Sequence, residues 1–127
     1  MKYNDLEWGE LHLNKVLLHG EGFVVLTLCI FFYKYGQFSW TLFFILLLSP
    51  DISIVGYLFN KKMGAIIYNI FHTYIITIGI IILGLIFSNQ TIIAIGIIWS
   101  AHIGMDRMVG FGLKYPTKFN DTHLSKV

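Results

Sequence analysis

The chain has 127 residues, 56% hydrophobic and 13% charged, with a formal charge of +2 at pH 7. A soluble domain carries about 25% charged residues, so these few could not coat a compact soluble surface, and bilayer lipid is the simplest substitute for water outside. The small charge argues against a nucleic-acid partner, the single Cys29 excludes an intramolecular disulfide, and the length allows one domain.

Residues 1–15 mix acids with apolar groups: Asp5, Glu7 and Glu10 interrupt Leu6, Trp8, Leu11 and Leu13. A secretory signal would run from a basic start directly into an apolar core, and this segment does not. It reads either as a short amphipathic interfacial segment or as a loosely ordered terminus.

Four apolar segments follow, at about 16–35, 40–59, 63–87 and 91–113, each near the ~20 residues that span a hydrocarbon core. The links at 36–39, 60–62 and 88–90 are short, which predicts an all-α, up-down-up-down four-helix membrane bundle spanning residues 16–113. Pro50 should kink the second helix and free a backbone carbonyl near Asp51. Glycines at 56, 64, 79, 84, 96, 104, 110 and 112 could let helices approach closely, within the chain or in a homo-oligomer. Pro116 should end the fourth helix and leave residues 114–127 as a tail.

Orientation follows from the positive charges. Lys2, Lys15, Lys61, Lys62, Arg107, Lys114, Lys118 and Lys126 fall on one side, and Lys34 alone on the other. The positive-inside rule then puts both termini in the cytoplasm.

Ionisable groups inside lipid are costly and usually face a partner, a cavity or a metal. Glu21, Asp51, His72 and Asp106 come from the four different segments. At 1.5 Å per residue they lie in overlapping layers about 8–16 Å from the cytoplasmic surface. His102 lies one turn from Asp106 on the same helical face, and Asn69 shares a face with His72. Two imidazoles and several carboxylates can ligate zinc, iron or manganese. His72, His102 and either Asp51 or Asp106 would hold the metal, with Glu21 as general base and Asp106 as a second catalytic candidate. The Glu-x-x-His pair of ferritin-like di-iron bundles is missing. In the tail, Asp121 and His123 could add ligands, or form a solvated turn. The blander readings are that Asp106 is a helix-end charge with Arg107 snorkelling to the headgroups, and that each membrane histidine only bonds a neighbouring helix.

The stretches Ser49-Pro50-Asp51-Ile52-Ser53 with Gly56-Tyr57, Tyr68-Asn69-Ile70-Phe71-His72-Thr73-Tyr74, Ala101-His102-Ile103-Gly104-Met105-Asp106-Arg107, and Gly110-Phe111-Gly112-Leu113-Lys114-Tyr115 with Phe119-Asn120-Asp121-Thr122-His123-Leu124 carry a resemblance. Together they resemble a family of small bacterial membrane proteins, domain of unknown function 4260, from about Lys15 onward. The resemblance implies a compact four-helix protein of a bacterial inner membrane and brings no activity, substrate or cofactor. Because Asp121 and His123 fall inside its motifs, it favours the tail as part of the site.

Three functional classes fit these features. The first is a metal-dependent membrane enzyme, hydrolase-like, with a lipid or amphiphile as substrate. The second is a proton or ion transporter, which the apolar extracytoplasmic half would force to be oligomeric. The third is a scaffold or partner-binding protein whose polar core fixes helix register.

Overall fold

The computed structural model describes residues 5–115 and 122–124, with side chains from His12 onward. Among the described residues five α-helices and one 3-10 helix follow in order: α1 (Asp5–Tyr35), α2 (Trp40–Leu46), the 3-10 helix Ser49–Leu58, α3 (Lys61–Phe71), α4 (Tyr74–Ile86) and α5 (Gln90–Val109). Among the described residues no strand forms, and one isolated bridge pairs Lys114 with Thr122. Four stretches of the described residues are long and apolar enough to cross a membrane: His12–Tyr35, Trp40–Leu58, Lys61–Ile86 and Gln90–Val109. The chain is thus all-α with the composition of a multi-pass membrane protein. Residues 1–15 are not a separate turn as far as they are described, because α1 runs unbroken from Asp5 into the first span.

The second and third spans are both broken. In the second, Pro50 has no N–H and its ring would clash with the Leu46 carbonyl, so an α-helix cannot continue. The chain responds by changing helix type rather than kinking: α2 stops at Leu46 and a ten-residue 3-10 helix takes over. Ser49 Oγ donates to the freed Leu46 O at 2.7 Å, and Ser53 Oγ to Pro50 O at 2.7 Å. The third span, expected as one helix, breaks at His72 and Thr73 without a proline or glycine. Here α5 supplies the missing donors. Trp99 Nε1 donates to Phe71 O at 2.6 Å and Arg107 NH2 to His72 O at 3.1 Å.

Helix starts were marked by short polar residues in the links. Ser39, Asn60 and Asn89 each accept a bond from a first-turn N–H, at 3.3, 2.8 and 3.1 Å. Such caps contribute about 1 kcal/mol each.

Helix α5 is the centre of the packing, buried over 56% of its span against 17–22% for the other three. It runs antiparallel to α1, His19 lying by Met108 and Gly22 by Gly104. A Cβ on Gly22 would sit 2.5–2.6 Å from Met108 N, Arg107 Cβ and Gly104 O, so the two backbones are in contact there. Gly84 and Gly96 admit Ile93 and Ile81 in the α4–α5 contact, whereas a Cβ on Gly79 would meet nothing. At one end of the bundle Tyr33, Phe43, Ala94, Ile97, Ile98 and Ala101 form the apolar core. Large side chains such as Phe31, Phe44, Leu58 and Ile75 remain exposed, as they would towards lipid.

At the other end, α5 stops at Val109 and not near 113. Gly110 adopts the left-handed conformation at φ 104°, with its N–H on Arg107 O at 3.3 Å and the Phe111 N–H on Asp106 O at 2.7 Å. This is the Schellman ending, for which glycine suffices and Pro116 is not needed. The chain then turns back across the end of the bundle.

Candidate metal centre

Each break in a span places one side chain of the candidate site. Asp51 stands in the first turn of the 3-10 helix created by Pro50, and His72 is the residue that ends α3. His102 and Asp106 come from α5, one turn apart, where the helix is most buried. Tyr68 stacks on the His72 ring at 3.7 Å and 9°, which fixes the ring plane.

These four residues, expected from sequence to share a layer, offer ligand atoms all within 4.8 Å of one another. His72 Nε2 lies 3.3 Å from Asp51 Oδ1 and 3.6 Å from Asp106 Oδ2. His102 Nε2 lies 3.2 Å from each of the same oxygens and 3.2 Å from His72 Nε2. Both imidazoles are fully buried, and the carboxylate side chains of Asp106 and Asp51 are 11% and 41% exposed.

The protonation of the two rings decides what this geometry can hold. His72 Nδ1 is 2.9 Å from the Tyr68 carbonyl, an oxygen that can only accept, so Nδ1 carries the hydrogen. In the neutral ring Nε2 is then a lone pair, and it faces another ring nitrogen and two carboxylate oxygens. Nδ1 of His102 is buried without a hydrogen bond of full geometry, the Leu47 carbonyl being its neighbouring acceptor. With hydrogen on both Nδ1 atoms, the two Nε2 lone pairs and two carboxylate oxygens form a set of four acceptors that could hold a cation, whereas hydrogen on His102 Nε2 lets that ring donate to a carboxylate instead. Zinc bonds of ~2.0–2.1 Å to nitrogen and oxygen, arranged tetrahedrally, require ligand–ligand edges of ~3.3–3.4 Å. The five edges given above are 3.2–3.6 Å.

The other sequence candidates take different places. Glu21 is exposed on α1 and lines an apolar groove with Tyr74, away from the four, because the adjacent Gly22 is the residue that faces α5. Arg107 does not snorkel. It is buried, donating to the carbonyls of Phe111 at 3.0 Å and His72 at 3.1 Å. Asn69 pairs with the returning chain, its Oδ1 accepting from Lys114 N at 2.6 Å and its Nδ2 donating to Lys114 O at 2.8 Å. His123 contributes to the tail's fold and not to the four-residue group: its Nδ1 accepts from Leu113 N at 2.8 Å, while its own N–H donates to Leu113 O at 2.9 Å. Burial, and then the charge of Arg107, push the His123 imidazole below its ordinary pKa, consistent with a neutral accepting ring. Asp121 lies outside the described residues.

Lys114 is the residue that sequence reasoning missed. It is 6% exposed, with Nζ 4.4 Å from the centroid of the Tyr68 ring. Burial lowers its pKa, and the Asp106 and Asp51 carboxylates oppose that shift. A cavity of about 170 Å³ lies between it and the centre, lined by Asp51, Ile54, Tyr68, Asp106, Phe111 and Lys114. Its only sequence signal was a lysine just beyond a Gly-x-Gly turn, which reads as an ordinary tail charge.

The fold and this site define a small helical membrane-type protein with two imidazoles and two carboxylates gathered at one end. The family model described as Domain of unknown function (DUF4260) matches residues 15–127, and the chain belongs to that family. Comparison with curated proteins gives no match, and neither does comparison with solved structures.

Proposed function

We propose that this chain is a metal-dependent membrane enzyme, hydrolase-like, working on a lipid or other amphiphile at the membrane face where its tail folds. One observation carries the reading: four candidate ligand atoms from three spans lie within 4.8 Å of one another beside a cavity, five of their six separations being 3.2–3.6 Å. Zinc suits that spacing best, and iron or manganese would accept the same donors. His72, His102 and Asp106, the least exposed of the four, hold the ion. Asp51, more exposed and lining the cavity, takes the general-base role that sequence reasoning gave to Glu21. A zinc ion held by these residues would supply Lewis-acid chemistry and an activated water. Asp51, on the cavity wall, would be the group to accept a proton there. A purely structural zinc closes its shell with four protein ligands, and the cavity lined by Asp106 and Asp51 favours the catalytic reading, with three ligands and a base.

Elemental analysis of detergent-purified protein tests the metal. Wild type should carry about one equivalent, lost in both His72→Ala and His102→Ala. Metal-free, well-folded protein that stays so after reconstitution with zinc, iron and manganese would sink the proposal. The catalytic step is tested with Asp51→Asn on short-chain phosphate and carboxylate esters in mixed micelles. That variant should keep its metal and lose roughly 10²-fold or more in turnover, the usual scale of a general base. Turnover equal to wild type removes Asp51 from the chemistry.

A further inference from the structure

Tyr68 lines the cavity beside the centre together with Asp51 and Asp106. The residue is only 4% exposed, and a buried tyrosine usually gives its O–H a partner. Tyr33 does so on the Ser39 carbonyl. Among the described residues the Tyr68 hydroxyl makes no hydrogen bond. The Tyr74 hydroxyl also lacks one, but it is sealed from solvent, and that of Tyr68 is not. The space open to the Tyr68 hydroxyl is the cavity that this residue lines.

The centre itself sets where this ring stands. Tyr68 stacks on the His72 imidazole with centroids 3.7 Å apart and planes 9° from parallel, and the Tyr68 carbonyl is the acceptor 2.9 Å from His72 Nδ1. The Lys114 ammonium lies over the same ring, 4.4 Å from its centroid. A hydroxyl carried on a ring held by these contacts has little freedom to turn away. Donors fixed in this manner stabilise an oxygen on which negative charge grows, because nothing has to reorganise at the moment of reaction. The ionised carboxylates of Asp51 and Asp106 can only accept, so neither can hold such an oxygen. Tyr68 places a neutral donor on the same wall.

We propose that the Tyr68 hydroxyl is a catalytic hydrogen-bond donor, holding the carbonyl oxygen of an ester substrate as charge develops on it. The inference rests on the enzyme reading above, with His72, His102 and Asp106 as ligands and Asp51 as base, and adds a further catalytic residue to it. In the step it serves, the oxygen of water bonds to the ester carbonyl carbon, a proton of that water passes to Asp51, and the carbonyl π pair moves onto the oxygen held by Tyr68. The pair then returns, the bond to the alkoxy oxygen breaks, and the departing alcohol takes the proton from Asp51. Tyr68 keeps its own proton throughout.

The test compares Tyr68→Phe, which loses only the hydroxyl, with Tyr68→Leu, which loses the ring as well, in full-length, zinc-loaded protein in neutral detergent. Acetohydroxamate, a small chelator with two oxygens, is titrated by calorimetry, and turnover of short-chain carboxylate esters is measured beside it. Tyr68→Phe should keep its zinc and its thermal transition. It should bind acetohydroxamate at least about tenfold more weakly and lose about 10²-fold in kcat with KM little changed, the scale of one lost oxyanion donor. Tyr68→Leu should also lose zinc affinity, because His72 loses its stack. A ring that only positions His72 leaves Tyr68→Phe equal to wild type in both readouts, and that result overturns the donor. Zinc-loaded wild type that binds no acetohydroxamate overturns it too and leaves the metal centre standing. Acetohydroxamate binding that weakens in Tyr68→Phe, in a protein that turns over no ester, keeps the hydroxyl as the donor and overturns the hydrolase reading alone. Protein that takes up no zinc overturns both.

Discussion

The two ends of α5 are built on different physics. At its start Ala94, Ile97 and Ile98 pack with Tyr33 and Phe43, and the rings of Tyr33, Phe38, Trp40 and Phe43 lie 5.0–5.3 Å apart in tilted and edge-on contacts. The chief polar demand there, the Tyr33 hydroxyl, is met by the Ser39 carbonyl. At its other end His102, Asp106 and Arg107 meet Asp51, His72 and Lys114. The first end is satisfied by the chain alone, through packing. The second gathers two imidazoles and two carboxylates whose ligand atoms lie within 4.8 Å of one another, a polar cluster that packing alone does not explain.

The largest expected effect probes this division directly. Phe43→Ala should lower stability by about 3–5 kcal/mol, the cost of emptying a buried aromatic site, whether or not zinc is present. Zinc at a hundred times its dissociation constant should add about 2.7 kcal/mol to wild type by mass action and nothing to His102→Ala. Denaturation curves with and without zinc measure both. If Phe43→Ala also erases the zinc-linked stabilisation, the two ends form one cooperative unit and the division fails.

A smaller effect comes from the seam that joins the ends. A methyl group at Gly22 would collide with α5 at residues 104–108, next to Asp106, and the nearest atoms include backbone that cannot swing away. Gly22→Ala should cost about 1–3 kcal/mol, the range for overpacking, and weaken zinc binding as α5 shifts. Gly79→Ala, with nothing near the new methyl, should change neither by much. Equal behaviour of the two variants in melting and zinc titration would show that the α1–α5 contact does not set the position of the site.

How far the sequence disclosed this arrangement depended on whether the cause was local. Pro50 announced the second break, because its missing N–H acts within its own turn. The break at His72 gave no such sign: Trp99 and Arg107, which satisfy the freed carbonyls, are 28 and 35 residues away from their acceptors. Depth along a span brought Asp51, His72, His102 and Asp106 to one layer, but depth does not specify a face. Glu21 has the right depth and the wrong direction, about 100° round the helix from Gly22. Gly22 itself went unread because its counterpart, Gly104, is recognised only once α1 and α5 are seen to cross. Lys114 is placed by Asn69 from 45 residues away, and no spacing rule reaches that far. Gly110 was readable as a helix stop and was passed over in favour of Pro116.

The smallest expected effect concerns the tail that closes the polar end. The Leu113 N–H···Nδ1 bond requires an unprotonated nitrogen on His123. Burial and Arg107 hold its folded pKa below the unfolded value of about 6.5. Below about 6.5 the unfolded tail therefore takes up a proton before the folded one does. The stability this bond contributes is complete above that pH and drains away as pH falls towards the lower folded value. Hydrogen exchange at the Leu113 amide, corrected for the intrinsic rate, should be slow at pH 7.5 and faster at pH 5.5. In His123→Leu, which has no acceptor, it should be fast at both. Protection in wild type that does not change between the two pH values would mean that the His123 ring does not control the closure, and that Asn69 and the Lys114–Thr122 bridge hold the tail by themselves.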